Sequence, residues 1–124
     1  MKHAPGFLAL VDSARANIRE IAAQDAADAV IDGRATLVDV REDHEVAIGR
    51  IPGATLLGRG ILERDIEARF PDKDKGLILV CGGGFRSALA ADSLQRMGYR
   101  DVWSLAGGVR AWQDAALPWE PCGC

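Results

Sequence analysis

A short segment in the second half of the chain combines side chains that could do chemistry: Cys81-Gly82-Gly83-Gly84-Phe85-Arg86-Ser87. A cysteine thiolate is a strong nucleophile, and consecutive glycines let successive backbone N–H groups point into one concavity that binds an anion. Arginine adds a planar cation that suits oxyanions. We therefore predict that Cys81 is a nucleophile and that the loop from Gly82 to Ser87 binds an anionic substrate.

The sequence around this segment predicts how the loop is positioned. The apolar run Leu77-Ile78-Leu79-Val80 reads as a strand that ends directly before Cys81, and a helix is predicted over residues 88–97. In parallel α/β sheets ligands bind beyond the carboxyl ends of the strands, and a helix N-terminus attracts anions. A helix terminus stabilises an anion by only about 0.3–1 kcal/mol, which is too little to ionise a thiol below neutral pH. We therefore expect the loop amides and Arg86 to stabilise the thiolate as well. Ser87 is expected to cap the helix or to donate to the sulfur.

Other interpretations of the loop fit these residues less well. A buried structural cysteine does not explain three glycines followed by an arginine. The loop lacks the third glycine of a dinucleotide-binding fingerprint and the Gly-Lys-Ser/Thr of a phosphate-binding P-loop. The three cysteines, Cys81, Cys122 and Cys124, form neither an even-numbered disulfide framework nor paired Cys-x-x-Cys motifs. No metal site and no cofactor are therefore expected.

The rest of the chain alternates strand and helix patterns. A lead-in helix is expected over residues 9–21, and an irregular tail over 117–124. Helices are predicted at 23–30, 61–70, 88–97 and 109–115, with one or two helical turns at 42–48. Strands are predicted at 36–40, 77–80 and 102–105, and a turn at 51–54 leads into an extended run at 55–57. Such alternation implies βαβ units and a parallel sheet layered by helices.

The composition is that of one globular domain. The chain has 124 residues, of which 48% are hydrophobic and 27% charged. Its net charge of −3 argues against nucleic acid or an anionic membrane as a partner. No run approaches the length of a membrane span, and the apolar run near the N-terminus is too short for a signal peptide. The predicted location is cytoplasmic.

Four motifs, in this order, resemble those of the rhodanese (thiosulfate sulfurtransferase) family in its single-domain form. They are Leu37-Val38-Asp39-Val40-Arg41-Glu42, Gly49-Arg50-Ile51-Pro52-Gly53-Ala54, the loop from Cys81 to Ser87, and Leu105-Ala106-Gly107-Gly108-Val109-x-Ala111-Trp112. The resemblance extends over nearly the whole chain. It departs from the family at Arg50, where histidine is usual, and we expect the Arg50 side chain to lie at the protein surface.

The resemblance implies a fold and a division of the chain. The fold would be the three-layer rhodanese-like α/β fold, with a mostly parallel central sheet and helices on both faces. The rhodanese domain would span residues 18–120. A lead-in helix would occupy residues 1–17, and residues 121–124 would form a Cys-Gly-Cys tail.

The resemblance also implies a reaction in two steps. Cys81 would attack the outer sulfur of a small anion such as thiosulfate, release sulfite and keep a persulfide. That sulfur would then pass to cyanide or to a thiol, including a thiol on a protein acceptor. For the other residues, Asp39 and Arg41 are expected to be structural or to lie at the site mouth. Arg59 could pair with Glu63 four residues on, and the resemblance implies that an arginine near this place can line the mouth. Cys122 and Cys124 could be an irrelevant tail or could relay sulfur from Cys81.

Two other functions share this scaffold. One is a regulatory or sulfur-carrier binding module with little thiosulfate activity, although such a module has no need to keep Cys81. The other is a dual-specificity phosphatase, whose cysteine and arginine are separated by five residues, whereas four separate Cys81 from Arg86. One residue adds up to about 3.5 Å of chain, so the shorter loop suits a sulfur atom better than a phosphoryl group.

Overall fold

The computed structural model describes residues 3–121, and this part of the chain forms six helices and seven strands. The helices are α1 (Pro5–Arg15), α2 (Ala23–Ile31), α3 (Asp43–Val46), α4 (Leu62–Arg69), α5 (Arg86–Arg96) and α6 (Gly108–Asp114). The strands are β1 (Arg19–Ile21), β2 (Thr36–Asp39), β3 (Gly49–Arg50), β4 (Thr55–Leu56), β5 (Leu77–Val80), β6 (Val102–Leu105) and β7 (Glu120–Pro121). None of these helices is both long and apolar enough to cross a membrane.

The central sheet has the strand order β1-β6-β5-β2-β4, and every neighbouring pair is parallel. β5 lies in the middle, and its four side chains are fully buried. Buried strands of this kind occur where helices cover both faces of a parallel sheet. The carboxyl ends of the strands therefore meet at one edge, and Cys81 follows β5 at that edge.

Alternate residues of β5 face two separate hydrophobic clusters. Leu77 and Leu79 pack with residues of α4 and α5, whereas Ile78 and Val80 pack with residues of α2 and α6. Successive side chains of a strand point to opposite faces of the sheet, so the two clusters are the two interfaces of a helix–sheet–helix sandwich. The predicted α/β fold with a mostly parallel sheet is confirmed.

The N-terminal helix differs from the prediction. α1 starts with a proline at its first turn and ends at Arg15, and Arg19–Ile21 then forms an edge strand parallel to β6. Ile18 and Ile21 have helical spacing, but only Ile21 lies in the strand, and the two side chains pack against opposite hydrophobic clusters. Residues 19–21 form a strand rather than a helix because they pair with the open backbone edge of β6. The pairing satisfies N–H and C=O groups of both strands.

The tail also differs from the prediction, since Glu120 and Pro121 pair antiparallel with β3. A Cβ on Gly49 would lie only 2.6 Å from the Trp119 ring, so the absence of a side chain at position 49 lets Trp119 pack there. Arg50 Nε donates to Glu120 Oε1 at 2.9 Å. The Arg50 side chain is exposed, as expected for its surface position.

A buried ion pair stands where β2 ends. Arg41 and Asp39 are 6% and 1% exposed, and the guanidinium donates to both carboxylate oxygens, from Nε to Oδ1 at 3.0 Å and from Nη2 to Oδ2 at 2.9 Å. Arg41 also donates to the carbonyl oxygens of Gly49 (2.8 Å) and Glu45 (3.4 Å). This one cation therefore ties the end of β2 to α3 and β3.

Replacing Arg41 by glutamine should destabilise the fold severely. The substitution leaves the Asp39 carboxylate buried without its cation, which costs about 3–5 kcal/mol. Unfolding of Arg41→Gln in guanidinium chloride measures the loss in the free energy of unfolding. The matched control is Arg34→Gln, because Arg34 and its partner Asp32 are 64% and 58% exposed and such pairs contribute about 1 kcal/mol or less. Similar small losses in both variants would contradict the assigned role of Arg41.

Candidate active site

Cys81 is buried at the carboxyl edge of the sheet, with 1% of its surface exposed. Its Sγ accepts a hydrogen bond from the Gly84 N–H at 3.1 Å. The Ser87 hydroxyl lies 3.4 Å from Sγ and 2.8 Å from the Ser104 hydroxyl. Both serines are fully buried. The sulfur thus accepts one backbone N–H and lies within hydrogen-bond distance of one buried hydroxyl.

Only one of the three loop glycines has a backbone conformation that requires glycine. Gly84 has φ +94°, and a Cβ there would lie 3.0 Å from the backbone nitrogen of Gly107. Gly82 and Gly83 lie outside the left-handed region, and a Cβ on either would make ordinary contacts at 3.5 Å or more. The sequence alone does not distinguish the three glycines, but the turn that brings an N–H to the sulfur depends on Gly84.

The turn before α6 fixes the loop from the other side. The N–H of Val109 donates to the Cys81 carbonyl at 2.8 Å, and the N–H of Arg110 donates to the Gly82 carbonyl at 3.2 Å. Gly108 permits this approach, since a Cβ there would lie 2.6 Å from the Gly82 carbonyl oxygen. The turn at Gly107 and Gly108 therefore holds the carbonyls of the Cys81 loop in place.

Arg86 stands in the first turn of α5 and forms an ion pair that the sequence did not predict. Its Nη1 and Nη2 donate to the two carboxylate oxygens of Glu45 at 2.6 and 2.8 Å. Glu45 Oε1 also accepts the N–H of Glu42 at 3.0 Å, which places the carboxylate at the start of α3. The spacing of Glu42 and Glu45 matches a capping box, but this signal indicates a helix start and gives no hint of Arg86.

The ion pair shifts the titration of both partners. Hydrogen bonds from Arg86 lower the pKa of Glu45 to about 2, against the smaller opposing effect of burial. The same hydrogen bonds raise the pKa of Arg86 above its ordinary value. Both groups are therefore charged throughout the physiological range.

A cavity of about 500 Å³ opens over Cys81. One wall is polar and carries Glu45, Arg86 and Arg110. The other wall is aromatic and is formed by His3, Phe7 and Phe85; the Phe85 ring lies 4.4 Å from that of His3 and 6.2 Å from that of Phe7, between centroids. His3 and Phe7 were not predicted to lie in this wall, because nothing local in the sequence connects them with the loop.

α1 also contacts the loop directly. Arg15 donates to the Gly84 carbonyl at 3.3 Å, and its guanidinium lies 4.9 Å from the centre of the Phe85 ring. The lead-in helix is thus a structural part of the site.

Other residues predicted for the site lie elsewhere. Arg59 pairs with Glu63 at 2.7 Å and does not line the cavity. Asp39 and Arg41 are buried behind the site, where Arg41 holds α3 in position. Cys122 and Cys124 lie outside the described residues, so their predicted relay role stays a prediction. Within residues 3–121 no group of three His, Cys, Asp or Glu side chains is arranged to hold a metal ion.

Comparison with known proteins identifies a family and several relatives. Residues 22–115 match the model of the rhodanese-like domain. The chain is 38% identical over 82 residues to the putative sulfurtransferase YtwF of Bacillus subtilis, an alignment that covers 66% of this chain and 77% of YtwF. It is 38% identical over 79 residues to the thiosulfate sulfurtransferase GlpE of Shewanella oneidensis, with 64% of this chain and 76% of GlpE covered.

A solved structure extends the similarity to the N-terminal helix. A Rhodopseudomonas palustris protein, described as a possible tyrosine phosphatase, superposes with a TM-score of 0.85 and 35% identity over 97% of this chain and 98% of its own. The match of the family model, by contrast, begins after α1.

Alanine at position 84 should be far more harmful than alanine at position 83. Gly84→Ala forces a side chain into a left-handed conformation against Gly107, a strain of about 1–3 kcal/mol, whereas Gly83→Ala meets only the edge of Phe85 at 3.5 Å. Urea unfolding of the two variants compares the free energies. Equal destabilisation would show that the conformation of Gly84 is not the constraint.

The low pKa of Glu45 predicts a particular pH dependence of stability. Because the pKa is lower in the folded state than its ordinary value of 4.5, the contribution of Glu45 is complete above pH 4.5 and is lost as the pH falls towards 2. The stability advantage of the wild type over Glu45→Gln should therefore shrink across that window. An NMR titration of the Glu45 carboxyl should give a higher pKa in Arg86→Gln than in the wild type, because the main cause of the lowering is removed. A carboxyl that titrates identically in the wild type and Arg86→Gln would refute the ion pair in solution.

Proposed function

This chain belongs to the rhodanese-like domain family, and on that premise we propose that it is a sulfurtransferase that carries sulfane sulfur as a persulfide on Cys81. The observation that carries the proposal is the environment of the Cys81 sulfur. Sγ lies at the base of the cavity, accepts the Gly84 N–H and is close to the Ser87 hydroxyl. Curated relatives that include a thiosulfate sulfurtransferase support the same reaction class.

In the first half-reaction the Cys81 thiolate attacks the outer sulfur of a donor such as thiosulfate. A new S–S bond forms to Cys81, the S–S bond of thiosulfate breaks, and sulfite leaves with the electron pair of that bond. The product is an anionic persulfide. The Gly84 N–H is bonded to Sγ before the reaction and stabilises the attacking thiolate, and the Ser87 hydroxyl lies 3.4 Å from the same atom. In the product the negative charge lies on the outer sulfur.

In the second half-reaction an acceptor attacks the outer sulfur of the persulfide. Cyanide becomes thiocyanate and a thiolate becomes a persulfide, while Cys81 leaves as a thiolate. Atoms and electrons balance in both halves. The cavity over Cys81 has room for a small acceptor or for the exposed thiol of a larger one.

Two other functions predict different behaviour. A regulatory or carrier module would keep the fold but accept little sulfur from thiosulfate. A phosphatase, suggested by the description of the Rhodopseudomonas palustris relative, would need Arg86 for a phosphoryl group. The four-residue spacing from Cys81 and the Glu45 partner of Arg86 both disfavour that use.

Intact mass measurement tests the proposal. After incubation with thiosulfate the wild type should gain the mass of one sulfur atom and lose it again on addition of cyanide. Cys81→Ser should gain none. A wild type that gains no sulfur would exclude thiosulfate sulfurtransfer, and hydrolysis of para-nitrophenyl phosphate that depends on Cys81 would favour the phosphatase.

A further inference from the structure

We propose that Arg110, rather than Arg86, receives the negatively charged end of the sulfur donor, and that Arg110 therefore selects donors by their charge. The proposal rests on the proposed function, because it concerns the same cavity and the same half-reaction. It assigns a specificity-determining role to a residue outside the Cys81 loop.

The first support is that Arg86 already has an anion. Both of its terminal nitrogens donate to Glu45, at 2.6 and 2.8 Å. The carboxylate is also bound by the N–H of Glu42, and Arg41 donates to the Glu45 carbonyl. An incoming donor would therefore meet a guanidinium whose charge is already paired with a carboxylate anchored by its own helix. The charges of Glu45 and Arg86 cancel, so this pair offers little net attraction to a dianion.

The second support is the position of Arg110. Arg110 lines the cavity and is an exposed residue, and its backbone N–H is bonded to the Gly82 carbonyl. Within residues 3–121 its guanidinium has no carboxylate within 4 Å, in contrast to Arg86. The ionisable side chains that line the cavity are Glu45, Arg86, Arg110, Cys81 and His3. Once Glu45 and Arg86 cancel, Arg110 is the permanent positive charge that remains.

Two donors of nearly equal shape distinguish the effect of charge. Thiosulfate is a dianion, and methanethiosulfonate is the monoanion in which a methyl group replaces one oxygen. Both transfer their outer sulfur to the Cys81 thiolate, releasing sulfite or methanesulfinate respectively. A residue that recognises charge should separate the two, whereas a residue that only shapes the loop should not.

The central experiment is Arg110→Gln with both donors and cyanide as acceptor. The KM for thiosulfate should rise about tenfold, the size expected for the loss of one charge-assisted contact. The KM for methanethiosulfonate should rise less than about threefold, and kcat should change little for either donor. Added salt should raise the thiosulfate KM of the wild type more than that of the variant. The matched control is Arg96→Gln, which removes an exposed arginine from the last turn of α5 and should leave both KM values unchanged.

Binding of thiosulfate to the Cys81→Ser protein separates this proposal from the reaction itself. No sulfur can be transferred there, so calorimetry reports recognition alone, and Arg110→Gln should weaken binding about tenfold. Adding Glu45→Gln should restore part of the lost affinity, because Arg86 then becomes available. Unchanged affinity in Arg110→Gln, or an equal rise of both KM values, would overturn the proposal while leaving sulfur transfer intact. A wild type that never loads sulfur would refute the proposed function, and the binding measurement would still decide the role of Arg110.

Discussion

The guanidinium of Arg41 forms the contacts on which the geometry of the site depends. It binds Asp39 where β2 ends and donates to the carbonyls of Glu45 and Gly49, which fixes α3 against the edge of the sheet. Glu45, on that helix, holds Arg86 at the start of α5. One buried cation is thus connected through two ion pairs to the helix that follows the Cys81 loop. Arginine suits this position because its several planar donors reach all three partners at once.

The fold was predictable where the pattern is local. β5 is an uninterrupted apolar run, the glycines that follow it mark a turn, and α5 has helical spacing, so the position of Cys81 at a strand end followed from neighbouring residues. β1 and β7 were not predictable in this way. Each is very short, and each exists because a distant partner, β6 or β3, has a free backbone edge. A local pattern contains no information about such a partner.

The site was predictable to the same degree. Ser87 was expected near the sulfur and lies 3.4 Å from it, and Arg86 was expected beside the loop, where it borders the cavity. Glu45 and Arg110 come from other segments, and only the packing of α3 and α6 against the loop brings them there. The aromatic wall shows the same dependence on tertiary structure, since His3 and Phe7 are far from Phe85 in sequence. Proximities within the Cys81 loop could therefore be predicted from the sequence, whereas contacts between the loop and other segments could not.

The burial of Cys81 has a consequence for what the protein presents to its surroundings. Only 1% of the Cys81 residue is exposed, which limits the access of bulky oxidants and alkylating agents to its sulfur. An S–S bond is about 2.05 Å long, so a second sulfur on Cys81 would extend by that length from Sγ, and the cavity is the open space beside it. Without the second sulfur the Cys81 nucleophile would be shielded from solvent. In the persulfide, the outer sulfur would be exposed in the cavity.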